Sequence, residues 1–362
     1  MSGKIIRLGV VGLKRGLTLL KAAAGENNVQ IYAVCDTKPD RLEEAQNELK
    51  GIGVTDCLAF SSFDAMLQSD IDAVIIATEA TVHAPYAIKA LNAGKHVLSE
   101  IPAVDSIEEA RELKHILKSH PELKYMMGEN CCYWAFVQAW KTMSDEGRFG
   151  DFVYGEGEYL HTADYRKYTP ETHKDDRWRL HLPAIKYITH SLGPLLYIMN
   201  DRAESVTCFE PTAVYNPYKQ APGNGAALIR TKKGAVIRIF IGFGAYAGYN
   251  HSYRLTGTRG SIETERLKNP DEAHSYARFS DIPDSLYVPF EIPVTTRFNG
   301  ESNGEDHGGS DRKMLRSFFD SIINDTQPEL GIDFAINTSL SGVLAHESAL
   351  KNGKPIKIPY RL

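Results

Sequence analysis

The stretch Ile5-Ile-Arg-Leu-Gly9-Val-Val-Gly12-Leu-Lys14-Arg15-Gly16 decides the fold. Residues 5–11 form a short β-branched run that predicts a strand, and the glycines that follow open a helix. A strand that ends in such a turn lets the backbone approach a pyrophosphate and presents unpaired helix N–H groups to it. The strict GxGxxG pattern wants a glycine two residues after Gly12, where Lys14 stands; Lys14 either adds a cation beside phosphates or points into solvent, and Arg15 lies next to it. Asp36 ends the second predicted strand, 29–35, where a carboxylate accepts the ribose hydroxyls of NAD and repels the extra phosphate of NADP. Lys38 and Arg41 follow closely and keep NADP as the alternative. Thr78 follows a third run, 74–77, at the carboxyl edge where open sheets bind ligands.

Outward from that turn, further strands are predicted at 97–99 and 125–127, alternating with helices at 41–50, 82–92 and 107–119. Ser106 and Glu109 form a capping box for the last helix, and Gly94 closes the one before it. The alternation implies a doubly wound parallel sheet covered by helices, a Rossmann domain over residues 1–130. After Cys132 the pattern changes. A linking helix at 135–146 leads into strand-like runs such as 226–231 and 236–243, and helices at 311–324 and 333–351 precede a short strand at 354–359. Residues 131–362 are therefore expected to form an α+β domain with a large, mostly antiparallel open sheet for substrate binding and oligomerisation, its terminal helices packing near the domain interface. Ile237, Ile239 and Ile241 are expected on the open face, favouring a homodimer or homotetramer.

Charge narrows the partners. The 362 residues carry 46 acidic and 41 basic side chains, a net charge of −5, without a basic block that would track a phosphate backbone. No nucleic acid is expected. No segment reaches the roughly 20 apolar residues of a membrane span, so a cytoplasmic protein with no membrane partner is expected. Cys35, Cys57, Cys131, Cys132 and Cys208 lack CxxC spacing, so no metal site is indicated and the thiols are expected reduced and mostly buried.

Two clusters carry a family resemblance. Val74-Ile-Ile-Ala-Thr78-Glu-Ala-Thr-Val-His83, with Ala93-Gly-Lys-His-Val-Leu-Ser-Glu100-Ile101-Pro102, resembles the glucose-fructose oxidoreductase, inositol dehydrogenase and MocA superfamily over nearly the whole chain. That resemblance implies a Rossmann domain followed by an open antiparallel sheet, activity on sugars or cyclitols, and cofactor contacts at Gly9, Gly12, Lys14, Arg15, Gly16, Asp36, Thr78, His83, Glu100 and Pro102. The family hallmark Glu-Lys-Pro carries a lysine that helps deprotonate the substrate alcohol, and Ile101 stands in its place.

The second cluster comprises Met126-Met-Gly-Glu129-Asn130-Cys-Cys-Tyr133, Gly155-Glu-Gly-Glu-Tyr159-Leu-His161, Trp178-Arg179 and Tyr187-Ile-Thr-His190-Ser-Leu-Gly-Pro194. It is similar to the NAD-dependent α-N-acetylgalactosaminidases of glycoside hydrolase family 109. The resemblance implies a cycle in which NAD takes a hydride from C3, C2–H is lost, the aglycone is eliminated, water adds and the ketone is reduced again. Net sugar or cyclitol dehydrogenation and non-catalytic sugar sensing are the rival readings.

Tyr187 and His190, at i and i+3, present a phenol and an imidazole to one side of a helix turn and suit proton transfer. Tyr159 and His161 share a strand face. Superfamily members carry an aspartate where Lys186 stands, so a cation is read as moved within one pocket, making Tyr187, His190, Tyr159 and Lys186 the candidate catalytic residues. Glu129, Asn130, His161, Trp178, Arg179, Tyr249 and His307 are the candidate contacts to a small sugar or glycoside.

Overall fold

The structure is a computed structural model that describes residues 5–162, 169, 177–213, 215–266, 274–293 and 307–362. It divides into one unit of Met1–Glu129, Ser302–Ile336 and Leu362, and another of Asn130–Glu301 and Asn337–Arg361. The chain passes from the first unit to the second after Glu129, and Ser302–Ile336 are grouped with the first.

In the first unit β1 (Ile6–Val11), β2 (Val29–Cys35), β3 (Leu58–Phe60), β4 (Ala73–Ile76), β5 (His96–Ser99) and β6 (Tyr125–Met127) form a parallel sheet in the order β3-β2-β1-β4-β5-β6. The connections are helical: α1 (Leu13–Ala23), α2 (Pro39–Gly51), α3 (Phe63–Leu67), α4 (His83–Asn92) and α5 (Ile107–Ser119). Strands covered on both faces have no polar side to present, so β4 is buried throughout and β1 nearly so. Ser106 Oγ accepts the Glu109 amide, and the Glu109 carboxylate in turn accepts the backbone amides of Asp105 and Ser106. The order reverses between β1, which pairs with β2 on one side, and β4 on the other; that reversal opens the crevice where such sheets bind ligands.

The second unit follows through α6 (Ala135–Asp145). Its nine-stranded sheet takes in β7 (Phe152–His161), β8 (Ala203–Phe209), β9 (Asn224–Thr231), β10 (Val236–Gly242), β11 (Tyr249–Gly257), β12 (Gly260–Thr264), β13 (His274–Phe279), β14 (Phe290–Pro293) and β15 (Ile356–Lys357). Only the β7–β10 pair is parallel among those described. Between β7 and β8 lie α7 (Arg177–His181) and α8 (Thr189–Met199). In the first unit α9 (Ser310–Ile323) packs on α1, and α10 (Ile332–Leu350) carries the chain back to the second. Among the described residues no helix is long and apolar enough to cross a membrane. All five cysteines are free thiols, and all but Cys57 are buried.

Glycines in β7 let α8 lie close on the sheet. A Cβ on Gly157 would stand 2.8 Å from the Ser191 carbonyl oxygen, and one on Gly155 would meet Ile237 at 3.3 Å. This contact corrects the expectation for Ile237, Ile239 and Ile241: all three are 0% exposed, because they face α8 and not the open side. The opposite face of β10 and its neighbours carries Arg238, Phe240, Leu228 and Phe209. Gly157→Ala forces α8 off the sheet and is expected to cost about 1–3 kcal/mol, read as a lower midpoint in chemical denaturation.

Candidate functional site

The turn after β1 is built to admit a ligand. Gly12, the residue before α1, has φ 86°, and a Cβ there would lie 2.5 Å from the Ala77 carbonyl oxygen. Only glycine satisfies both constraints. A Cβ on Gly16 would meet Val10 Cγ1 at 2.8 Å, so this glycine sets the closeness of helix and strand. Lys14 lies exposed in the first turn of α1, which explains why a side chain is tolerated where the strict motif has glycine. Asp36 ties the turn to the end of β2: its Oδ2 accepts the Leu13 amide at 2.8 Å and its Oδ1 the Lys38 amide at 3.0 Å. Thr78 Oγ1 is buried and has no hydrogen-bond partner among the described residues, an acceptor and donor left for something bound at this edge. His83 is buried with its ring nitrogens 3.0 Å from the Pro102 carbonyl and 3.1 Å from the Thr78 carbonyl. It braces this edge instead of offering a nitrogen to a ligand, and burial, the largest influence, lowers its pKa.

Arg15 is held by two carboxylates of its own unit. Its Nε donates to Glu100 at 2.8 Å, and its two terminal nitrogens donate to Asp311 at 2.7 Å each. Burial works against the charge on Arg15, yet Glu100 and Asp311 outweigh it and hold the guanidinium protonated. Asp311 is fully buried; burial alone would raise its pKa, but Arg15 and His307 hold it well below the usual carboxylate range. His307, expected toward substrate, directs Nδ1 to Asp311 at 2.9 Å. Arg15, Glu100 and His307 are thereby joined in one network, with the side chains of Arg15 and Glu100 mostly buried. Gly9 packs beneath the turn against Ile71.

In the second unit the aromatic and histidine candidates converge. Tyr187 closes a 3-10 turn, Ala184–Tyr187, and His190 lies in the first turn of α8, so the pair straddles a junction between two helix types; their rings are 5.3 Å apart. Tyr159 packs against both, at 6.3 Å and 5.4 Å. Burial pushes the Tyr159 phenol well above its ordinary range, with Tyr187 and Tyr249 adding to the effect. His161 is shifted down by burial and then by Arg179, whose guanidinium lies 4.5 Å from the Trp178 ring and 5.5 Å from the Tyr187 ring. Lys186 is half-buried on the same 3-10 turn as Tyr187. Asn130 is buried where the second unit begins, and Glu129 is fully buried as the last residue of the first.

The sequence leaves open which of Tyr249, His251 and Tyr253 reaches substrate, and it gives no sign of Phe243 or Lys219. His251 stacks on Tyr159 at 4.1 Å, Tyr253 donates its hydroxyl to the His190 carbonyl at 2.5 Å, and Phe243 packs on Tyr159 at 5.3 Å. The signal for the first two was the spacing of Tyr249, His251 and Tyr253, which alternate along β11 opposite His161, Tyr159 and Gly157. Of the three, Tyr249 is the accessible one, 59% exposed. Lys219 donates to the Arg179 and Leu182 carbonyls and so holds the Trp178–Arg179 turn; burial, then Arg179, pushes its pKa down to about 8.

Comparison with known proteins matches residues 6–129 to the family described as "Oxidoreductase family, NAD-binding Rossmann fold", and residues 137–263 to "GFO/IDH/MocA C-terminal domain". Residues 218–360 match "Glycosyl hydrolase 109, C-terminal domain". A glycosyl hydrolase family 109 protein of Phocaeicola vulgatus is 27% identical over 85% of this chain and 65% of its own length. One from Solibacter usitatus is 28% identical over 98% of this chain and 87% of its own. The chain spans 65%, 55% and 61% of the length of three such relatives. Among solved structures, scyllo-inositol dehydrogenase from Lactobacillus casei with bound NAD(H) and scyllo-inositol superposes with a TM-score of 0.76 at 19% identity, covering 98% of this chain and 99% of that one. An oxidoreductase domain protein from Kribbella flavida gives 0.82 at 16%, over 98% and 100%. At these identities the likeness establishes the fold.

Gly12→Ala is expected to weaken NAD binding by more than about tenfold, measured by calorimetric titration, because the new methyl group moves the turn away from Ala77. Retention of wild-type affinity would contradict the account of the cradle.

Proposed function

The chain belongs to the Gfo/Idh/MocA oxidoreductase family, and from that premise we propose that it is an NAD-dependent, sugar-active enzyme working as a redox-neutral glycosidase. The observation that carries this reading is the convergence of Tyr187, His190 and Tyr159, while buried Ile101, 2% exposed, offers no proton-moving group where the family's lysine stands. The match of residues 218–360 to the glycosyl hydrolase 109 C-terminal domain favours glycoside cleavage over net dehydrogenation.

Gly12, Gly16, Asp36 and Thr78 hold the dinucleotide in this reading. The Asp36 carboxylate disfavours the extra phosphate of NADP. Bound NAD supplies a hydride acceptor for C3 of the sugar and a hydride donor at the end of each turnover. The remaining steps are proton movements that accompany cleavage and hydration: from the C3 hydroxyl, from C2 once C3 is a ketone, onto the glycosidic oxygen as its bond to C1 breaks, from the water that adds at C1, and back onto C2 and the C3 oxygen. An imidazole and a phenol in one cluster take and return those protons. Tyr159, with its pKa held high, keeps its proton and acts as a hydrogen-bond donor. Arg179 and Trp178 offer a planar cation and an aromatic face to a sugar ring, Tyr249 its exposed ring, and Lys186 a cation on the same turn as Tyr187.

Incubation with a panel of nitrophenyl glycosides and catalytic NAD in deuterated water tests the scheme. Aglycone release with deuterium at C2 of the product is expected. Release with C2 still fully protonated would defeat oxidation and elimination.

A further inference from the structure

His190 is gripped from several sides by its own unit. Cys131, 2% exposed on the 3-10 turn Asn130–Tyr133, places its sulfur 3.3 Å from His190 Nδ1. The Tyr253 hydroxyl pins the His190 carbonyl. Tyr159, Tyr187 and His251 meet the ring edge-on, at interplanar angles of 80°, 78° and 71°. These rings confine the imidazole, but none of them accounts for which nitrogen carries the proton. In an imidazole that choice follows from the hydrogen bond made by the nitrogen not engaged in chemistry.

We propose that Cys131 is the positioning residue of His190: its sulfur holds Nδ1, which sets the ring orientation and tautomer and leaves Nε2 as the atom that moves protons. The inference rests on the role given to His190 above.

The thiol suits this role because it has a second acceptor. Asn130 Oδ1 lies 3.7 Å from the same sulfur. With S–H directed to Asn130, the sulfur accepts Nδ1–H from His190, and Nε2 is the unprotonated nitrogen that acts as a base. After Nε2 takes a proton from substrate, the imidazolium still donates Nδ1–H to sulfur, and returning that proton restores the starting state. No bond to sulfur forms or breaks. A carboxylate at this position would favour the imidazolium and hinder return of the proton. Within its own unit the titratable groups that face His190 are Tyr187 from the preceding turn, Tyr159 from β7, His251 from β11 and Cys131 itself, with His161 and Arg179 further out; the carboxylate of Glu129 also comes within 4.8 Å of the His190 and Cys131 ligand atoms.

The test follows the ring nitrogens of His190 by nitrogen-15 NMR across pH, alongside pH profiles of kcat and KM, in wild type and in Cys131→Ala, Cys131→Ser and Cys131→Asp. Wild type is expected to show Nδ1–H with a bare Nε2. Cys131→Ala is expected to lose that tautomer preference and about tenfold or more in kcat, with KM little changed. Cys131→Ser should recover most of both, and Cys131→Asp should move the acidic limb of kcat and the His190 titration upward together by about one pH unit or more. Wild-type nitrogen shifts and an unchanged kcat profile in Cys131→Ala would overturn the proposal. The NMR arm reads the resting protein, so it decides the role of Cys131 even if no glycoside is cleaved. A protein with the expected tautomer and no sugar chemistry would refute the glycosidase reading alone.

Discussion

A fully buried carboxylate must find a cation, and Asp311 finds Arg15. That constraint organises the first unit. Arg15 lies in the first turn after the glycine turn, and its Nε reaches Glu100 beyond the end of β5. One guanidinium therefore ties together the start of α1, the edge of the sheet and the first turn of α9. Removing the cation would leave Asp311 buried with its strongest partner gone. The same network explains why residues 302–336 belong with the dinucleotide cradle although they lie far along the chain from it.

The second unit rests on a steric constraint instead. Bare backbone at Gly155 and Gly157 lets α8 descend onto β7, and that descent brings His190 to Tyr159 and Tyr253. Tyr159, His251 and Tyr249 then form one continuous wall, because β7 and β11 pair in register. The chemistry proposed for the cluster depends on backbone closeness first and on ionisation second.

Local pattern made much of this legible. Strands 29–35 and 125–127 and helix 107–119 coincide with β2, β6 and α5, because each is bounded by turn or capping residues and has clear periodicity. β3 escaped notice, since Leu58-Ala59-Phe60 is a three-residue edge strand whose first two residues are exposed. Alternation in β10 identified the apolar residues correctly, but the face they point to depends on α8, which a strand's own sequence does not reveal. Arg15 and His307 stand among the ligand contacts expected from sequence, but their shared partner is hidden there, because Asp311 lies one helical turn from His307 and 296 residues from Arg15. Tyr187 and His190 were legible through family resemblance, whereas Cys131 beside Nδ1 emerged only when the chain was folded.

In the proposed cycle the first unit holds the dinucleotide, the second carries the proton-transfer groups, and the dinucleotide is regenerated within each turnover. The near-ultraviolet absorbance of reduced nicotinamide, followed through many turnovers of a cleavable glycoside, tests this most directly. Reduced cofactor is predicted to settle at a level no greater than the enzyme concentration while aglycone continues to accumulate. Growth of reduced cofactor in step with product would contradict the claim and identify a net dehydrogenase.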